Sequence, residues 1–139
     1  MNLIKTVIWA NLMVLLLVSC TPKLSPPSLD QEKMMVRISE IEIDSNYLDE
    51  YNKILMEEAA ASVQLEAGVI AIFPMFQVDN PTQVRILEIY KNDASYKSHL
   101  QTPHFKHYKT STLHMVKSLK LIDMQSLDSA SMKLIFEKL

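Results

Sequence analysis

An α+β fold in the order β-α-β-β-α-β is predicted by this chain of 139 residues, and three observations carry the prediction. Strand-like patterning recurs at 35–43, 69–77, 83–91 and 116–124, and helical patterning fills the two long gaps. The two middle strands are joined by a short polar turn, as a hairpin requires. Hydrophobic residues make up 48% of the chain and charged residues 22%, the balance of an ordinary folded domain. This order is the ferredoxin-like split βαβ arrangement, an antiparallel four-stranded sheet with helices on one face.

The N-terminal segment is read apart from the domain. Residues 1–19 hold one charged side chain, Lys5, and an apolar run from Val7 to Val18 broken only by Asn11. That run is too short to span a bilayer comfortably and fits a secretory signal. It ends in Leu17-Val18-Ser19-Cys20, which resembles the bacterial lipobox, where the Cys is lipidated and becomes the mature N-terminus. Residues 1–19 are therefore expected to be removed and Cys20 to carry the lipid, with membrane association through it. The mature chain then holds 13 basic and 16 acidic residues, a net charge of −3. Residues 20–33 are rich in Pro and Ser and read as a tether. Thr21, where an inner-membrane retention signal prefers Asp, points by resemblance to the outer membrane, facing the periplasm.

The domain is expected over 34–124. In the first strand, Val36 and Ile38 alternate with polar neighbours, while Ile41 and Ile43 continue in the opposite phase, so a bulge is expected near Ser39 and Glu40. Asp44, Ser45 and Asn46 are competent N-caps for a helix over about 47–66. Its apolar stripe runs through Leu48, Tyr51, Leu55 and Ala59, with Glu57 and Glu58 assigned mostly to the solvent side. Gly68 is the only glycine and sits where a left-handed helix-terminating residue belongs. Residues 69–77 are nearly all apolar, which predicts cover on both faces, and Pro74 points to an edge or bulge. After a turn at 79–82, Val84, Ile86, Glu88 and Tyr90 share one strand face. A short helix from Asn92-Asp93 ends near Leu100, and Thr102-Pro103 opens another. Strand 116–124 follows, then a tail, 125–139, with helical potential.

Composition excludes several classes. A lone Gly rules out a Gly-rich phosphate loop. A single Cys rules out an internal disulfide framework and a Cys-rich metal site. A net charge of −2 gives no footprint for nucleic acid. His104 and His107 stand three apart on a helix, but no third ligand has a convincing spacing, so no metal site is expected.

The most specific stretch is Glu88-Ile-Tyr90-Lys-Asn-Asp93-Ala-Ser-Tyr96-Lys-Ser-His99-Leu-Gln-Thr102-Pro103-His104-Phe105. With the Glu66-Ala67-Gly68 step into the second strand, it resembles the antibiotic biosynthesis monooxygenase (ABM) domain family, including its quinol monooxygenase type. The resemblance implies a homodimer resembling a dimeric α/β barrel, with a pocket between sheet and helices in each subunit. It also implies oxidation of a quinol-like or other small aromatic substrate by dioxygen, with no cofactor. Other members isomerise or bind small molecules, so a non-oxidative binding module or isomerase is the alternative. Haem-degrading relatives carry Asn, Trp and His where this chain has about Ser39, His99 and Lys109, which argues against haem cleavage.

Attack by dioxygen on a phenol or quinol needs the electron-rich anion, so a protein assists by removing the hydroxyl proton, stabilising the oxyanion and excluding water. His99 is the first candidate for the proton, since it matches the family His and imidazole titrates near ~6.5. Tyr90 is a donor or a stacking ring, and Glu88 a carboxylate on an apolar face; either could equally be structural. His104, Ile38, Phe73, Ile86 and Leu100 are expected to line the substrate pocket. For the N-terminus, Cys20→Ser should leave the protein unprocessed or released from membranes; unchanged detergent-dependent anchoring in that variant would refute the lipobox reading.

Overall fold

The computed structural model describes residues 33–138. The expected signal segment, Cys20 and nearly all of the tether lie outside the described residues. The elements are β1 (Met35–Ile43), α1 (Leu48–Leu65), β2 (Val69–Gln77), β3 (Asn80–Tyr90), α2 (Asp93–His99), α3 (Pro103–Thr112), β4 (Val116–Met124) and α4 (Ser129–Phe136). The sheet runs β2-β3-β1-β4, and every neighbouring pair is antiparallel. This is the predicted α+β, ferredoxin-like architecture.

Local chemistry sets most boundaries. The Asp44 side chain accepts from the Asn46 amide and opens a 3-10 turn that leads into α1. Asn92, rather than Asp93, caps α2 by accepting from the Ser95 amide at 2.9 Å. Thr102 caps α3, with Pro103 in its first turn, where a missing N–H costs nothing. Tyr51, Leu55 and Ala59 of α1 pack on Ile41, Ile43, Val84 and Ile86 of the sheet. The hydroxyls of Tyr51 and Tyr108 meet at 2.8 Å and tie α1 to α3. Burial pushes the Tyr108 hydroxyl up to about 12.

Four expectations are corrected. First, β1 has no slip at Ser39-Glu40: Arg37, Ser39, Ile41 and Ile43 are all buried on one continuous face, and the register shift lies between Glu42 and Ile43 against β4. The apparent change of phase is a change of chemistry, from apolar core to polar site, along an unbroken face. Second, β2 lies at the sheet edge as Pro74 implied, but its two faces are not both covered. Phe73 and Phe76 are exposed among the described residues; Pro74, which cannot donate to a ladder, is tolerated at an edge. Third, Val78 and Asp79 alone link the hairpin, since Gln77 pairs with Asn80. Pro81 thus belongs to β3, beyond the last residue paired with β1, Gln83.

Fourth, Gly68 does not have positive φ. Its lack of a side chain serves close approach instead. A Cβ built there would stand 2.6 Å from Ser95 Cβ and closer still to Ser95 Oγ. Gly68 therefore lets α2 descend onto the start of β2, where its carbonyl accepts from the Lys91 amide at 2.8 Å.

The strand register orders the sheet face opposite the core. One row reads Ala71, Ile89, Val36 and Met124; the next reads Phe73, Leu87, Ile38 and Ile122. Both rows are wholly apolar. Gly68→Ala should cost about 1–3 kcal/mol, the usual scale of overpacking, net of the ~0.4–1 kcal/mol gained by restricting the unfolded chain. Urea unfolding measures this, and adding Ser95→Gly should recover part of the loss. A wild-type midpoint in Gly68→Ala alone would refute the close-approach account.

Candidate functional site

On β3, the face turned toward the helices starts apolar with Val84 and Ile86 and ends polar with Glu88 and Tyr90. A carboxylate there is tolerable only if hydrogen-bonded, and both its oxygens are engaged. Ser39 Oγ donates a short bond to Glu88 Oε1, and the Tyr90 hydroxyl donates to Oε2 at 2.8 Å. Burial, reinforced by the Glu88 charge, pushes the Tyr90 hydroxyl well above its ordinary value. Arg37, opposite Glu88 in register, turns instead to Asp123 of β4, with Nε at 2.8 Å and Nη2 at 2.6 Å. Its guanidinium lies 4.6 Å from the centre of the Tyr96 ring.

The helices supply the opposite wall. Glu58 of α1 is 5% exposed, and its Oε1 accepts from Ser62 Oγ at 2.7 Å. Burial dominates and holds its carboxyl above the usual range, although Ser62 and His99 oppose the shift. His99, at the end of α2, is 3% exposed and packs between Tyr90 and Phe105, with ring centres 5.4 and 4.7 Å away. Its Nε2 lies 3.6 Å from Glu58 Oε1. Its Nδ1 lies 2.9 Å from Glu66 Oε1, and the same oxygen meets His104 Nε2 at 2.6 Å.

Burial alone would raise the Glu66 carboxyl, but the two imidazole hydrogen bonds outweigh it and hold it below the usual range. Glu66 is therefore a carboxylate with no proton to give, so both imidazole nitrogens donate to it. In the neutral imidazole this arrangement puts the proton on Nδ1 and leaves Nε2 as the acceptor.

These walls enclose a cavity of about 290 Å³. Arg37, Ser39, Ile86, Glu88 and Tyr90 line the sheet side; Glu58, Tyr96, His99, Phe105 and Tyr108 line the helix side. Lys109, Leu113, Leu119 and Leu121 also border it. Such a space, mainly apolar with a few convergent polar groups, suits a small molecule. His99 is the imidazole on its wall, with Glu66 behind it at Nδ1.

Of the residues expected here, His99, Tyr90, Glu88, Ile86 and Leu100 share the cavity. Ile38 and Phe73 do not. With β1 unslipped, Ile38 pairs with Leu87 and Ile122 on the far face, and Phe73 lies in the same outer row. His104 is drawn to Glu66 and is not part of the cavity wall. Sequence reasoning missed Glu58, Arg37 and Tyr96, and the role of Glu66. For Glu58 a signal existed: Tyr51, Leu55, Glu58 and Ser62 follow the spacing i, i+4, i+7, i+11 of one buried stripe.

A family model described as antibiotic biosynthesis monooxygenase matches residues 34–111. Among solved structures, a "putative antibiotic biosynthesis monooxygenase" from Bacteroides thetaiotaomicron is 49% identical, covering 70% of this chain and 93% of that one at a TM-score of 0.70. A "putative monooxygenase" from Lactobacillus acidophilus is 27% identical, covering 66% of this chain and 43% of that one at a TM-score of 0.64. A Nitrosomonas europaea protein with the same name as the Bacteroides one is 18% identical, covering 69% and 92% at a TM-score of 0.65, a likeness of fold alone. No curated protein matches significantly.

The raised Glu58 carboxyl predicts a pH-dependent effect on stability. The fold favours the protonated form, so its penalty is absent below the ordinary value of 4.5 and grows as pH rises above it. Glu58→Gln, which keeps an acceptor for Ser62 and has no charge, should match wild type in acid and become the more stable protein toward neutral pH. Thermal melts across that range check it; a variant less stable at pH 7 than at pH 4, relative to wild type, would contradict this sign.

Proposed function

The chain belongs to the antibiotic biosynthesis monooxygenase family, and from that premise we propose that it is a cofactor-independent monooxygenase acting on a quinol-like or other small aromatic substrate. The observation that carries this reading is the placement of His99. It is buried, polarised by Glu66 at Nδ1, and free to accept at Nε2 within a cavity walled by aromatic rings.

The substrate hydroxyl gives its proton to His99 Nε2. Glu66 acts as a positioning residue, holding the ring and balancing the imidazolium charge. The substrate anion supplies electrons to dioxygen directly. One oxygen atom is added to the ring; the other leaves as water with the two hydrogens the substrate loses, so atoms and electrons balance without an outside reductant. Tyr90 and Glu88 lie along the same wall, where the Glu88 carboxylate can take a second substrate hydroxyl, as a quinol offers. Glu58 stands on the opposite wall, its carboxyl raised above the usual range chiefly by burial.

The proposal extends to assembly and location. Two apolar rows on one sheet face are a natural surface for a second copy of the chain, and a small domain gains from covering them. Lipidation at Cys20 would tether that homodimer to the cell envelope, at the outer membrane facing the periplasm. Oxygen uptake with a panel of quinols tests the chemistry. His99→Ala should lower turnover about 10²–10⁴-fold, the scale of a lost acid–base group. No uptake with any quinol, or full activity in the His99 variant, would overturn the assignment.

A further inference from the structure

Three groups meet at the junction of α1, α2 and α3, behind the cavity wall. Glu66 ends α1, His99 ends α2 and His104 lies in the first turn of α3. Their nearest ligand atoms, Glu66 Oε1, His99 Nδ1 and His104 Nε2, all lie within 4.8 Å of one another. Two imidazole nitrogens and a carboxylate oxygen form a donor set that suits borderline divalent metals such as zinc and is a poor match for magnesium or calcium.

We propose that Glu66, His99 and His104 form a binding site for a divalent transition metal of the zinc class. The protons now shared between the imidazoles and Glu66 Oε1 occupy the place such an ion would take. Two ligands each about 2.0–2.1 Å from a tetrahedral zinc ion stand about 3.3 Å apart. The nitrogen–oxygen separations are 2.9 Å for His99 and 2.6 Å for His104, so the clasp must open by only about 0.4–0.7 Å to admit the ion. The two imidazole nitrogens, which lie within 4.8 Å of each other, must reach the same spacing of about 3.3 Å. The site is also reachable: the Glu66 and His104 side chains keep 12% and 18% of their surface exposed. The earlier pairing of His104 with His107 is replaced. His107 faces Ser111 on the exposed side of α3, and the missing ligands come from two other helices.

Occupancy has a definite consequence for His99. A neutral imidazole bound to metal through Nδ1 carries its proton on Nε2. The nitrogen that faces Glu58 and the cavity then changes from acceptor to donor. The metal-bound form is therefore an off state for the proton removal proposed above; this consequence rests on that reading, whereas the site itself does not.

The test uses the full chain and the metal alone. Titration with Co²⁺ should give a saturable visible band at one ion per chain, displaced by Zn²⁺. Glu66→Gln and His104→Gln, each checked for fold by circular dichroism, should weaken binding by at least about a hundredfold, the upper end of what losing a mere outer-shell partner costs. His107→Gln should bind as wild type does. Histidine ¹⁵N spectra of the wild-type chain should show the His99 Nε2 resonance moving from the unprotonated to the protonated range on adding Zn²⁺. No saturable band with the wild-type chain, or a band that survives unchanged in both ligand variants, would overturn the site. A band with an unprotonated Nε2 would overturn the switch. Each readout is independent of oxygen uptake, so failure of the oxidative reading leaves the test intact.

Discussion

One carboxylate oxygen ties the ends of three helices together. Glu66 Oε1 takes hydrogen bonds from the last residue of α2 and the second residue of α3. A helix of seven residues such as α2 has almost no stability of its own, because nucleation costs more than a single turn returns. Its position comes from outside: the Asn92 cap at one end, the Glu66 clasp at the other, and the bare backbone of Gly68 beneath Ser95. Glu66 and Gly68 lie two residues apart in the step from α1 to β2. One short stretch of chain thus both admits α2 to the sheet and fastens it there.

The cavity follows from that arrangement and from an apparent defect in the sheet. A strand face buried beneath helices is normally filled with apolar side chains, yet β1 offers Arg37 and Ser39 beside Ile41 and Ile43. Each polar group is answered by a partner from another element: Arg37 by Asp123 and the Tyr96 ring, Ser39 by Glu88, Glu88 also by Tyr90. No buried side-chain nitrogen or oxygen among the described residues lacks a partner. Such a network can be buried because every member is satisfied, and it leaves open space where an apolar core would have closed.

Alternation along the strands produces a second surface at the same time. Residues that alternate with the cavity wall point to the outer face, so Ile38 and Phe73 belong to that face for the reason that Ser39 and Ile72 belong to the inner one. Cavity wall and outer face are thus coupled through the register of a single sheet. A one-residue slip would exchange them.

Element order, most boundaries and the caps were legible in the sequence, because they depend on neighbours within a few residues. Strand period, helical stripe, Thr102-Pro103 and the hairpin are local chemistry, and His99, Tyr90 and Glu88 stand in a compact motif. The polarity of β1 was not legible. A strand with two phases of hydrophobicity reads as a bulge until a structure shows that its polar residues face a site. Nor was the Glu66 clasp legible, since Glu66 is 33 residues from His99 and 38 from His104. The sequence by itself determined which elements form and in what order, because those preferences are local. Only the tertiary structure decided which face of β1 is buried, which carboxylate holds His99, and why residue 68 is glycine, because each depends on a partner brought close by packing.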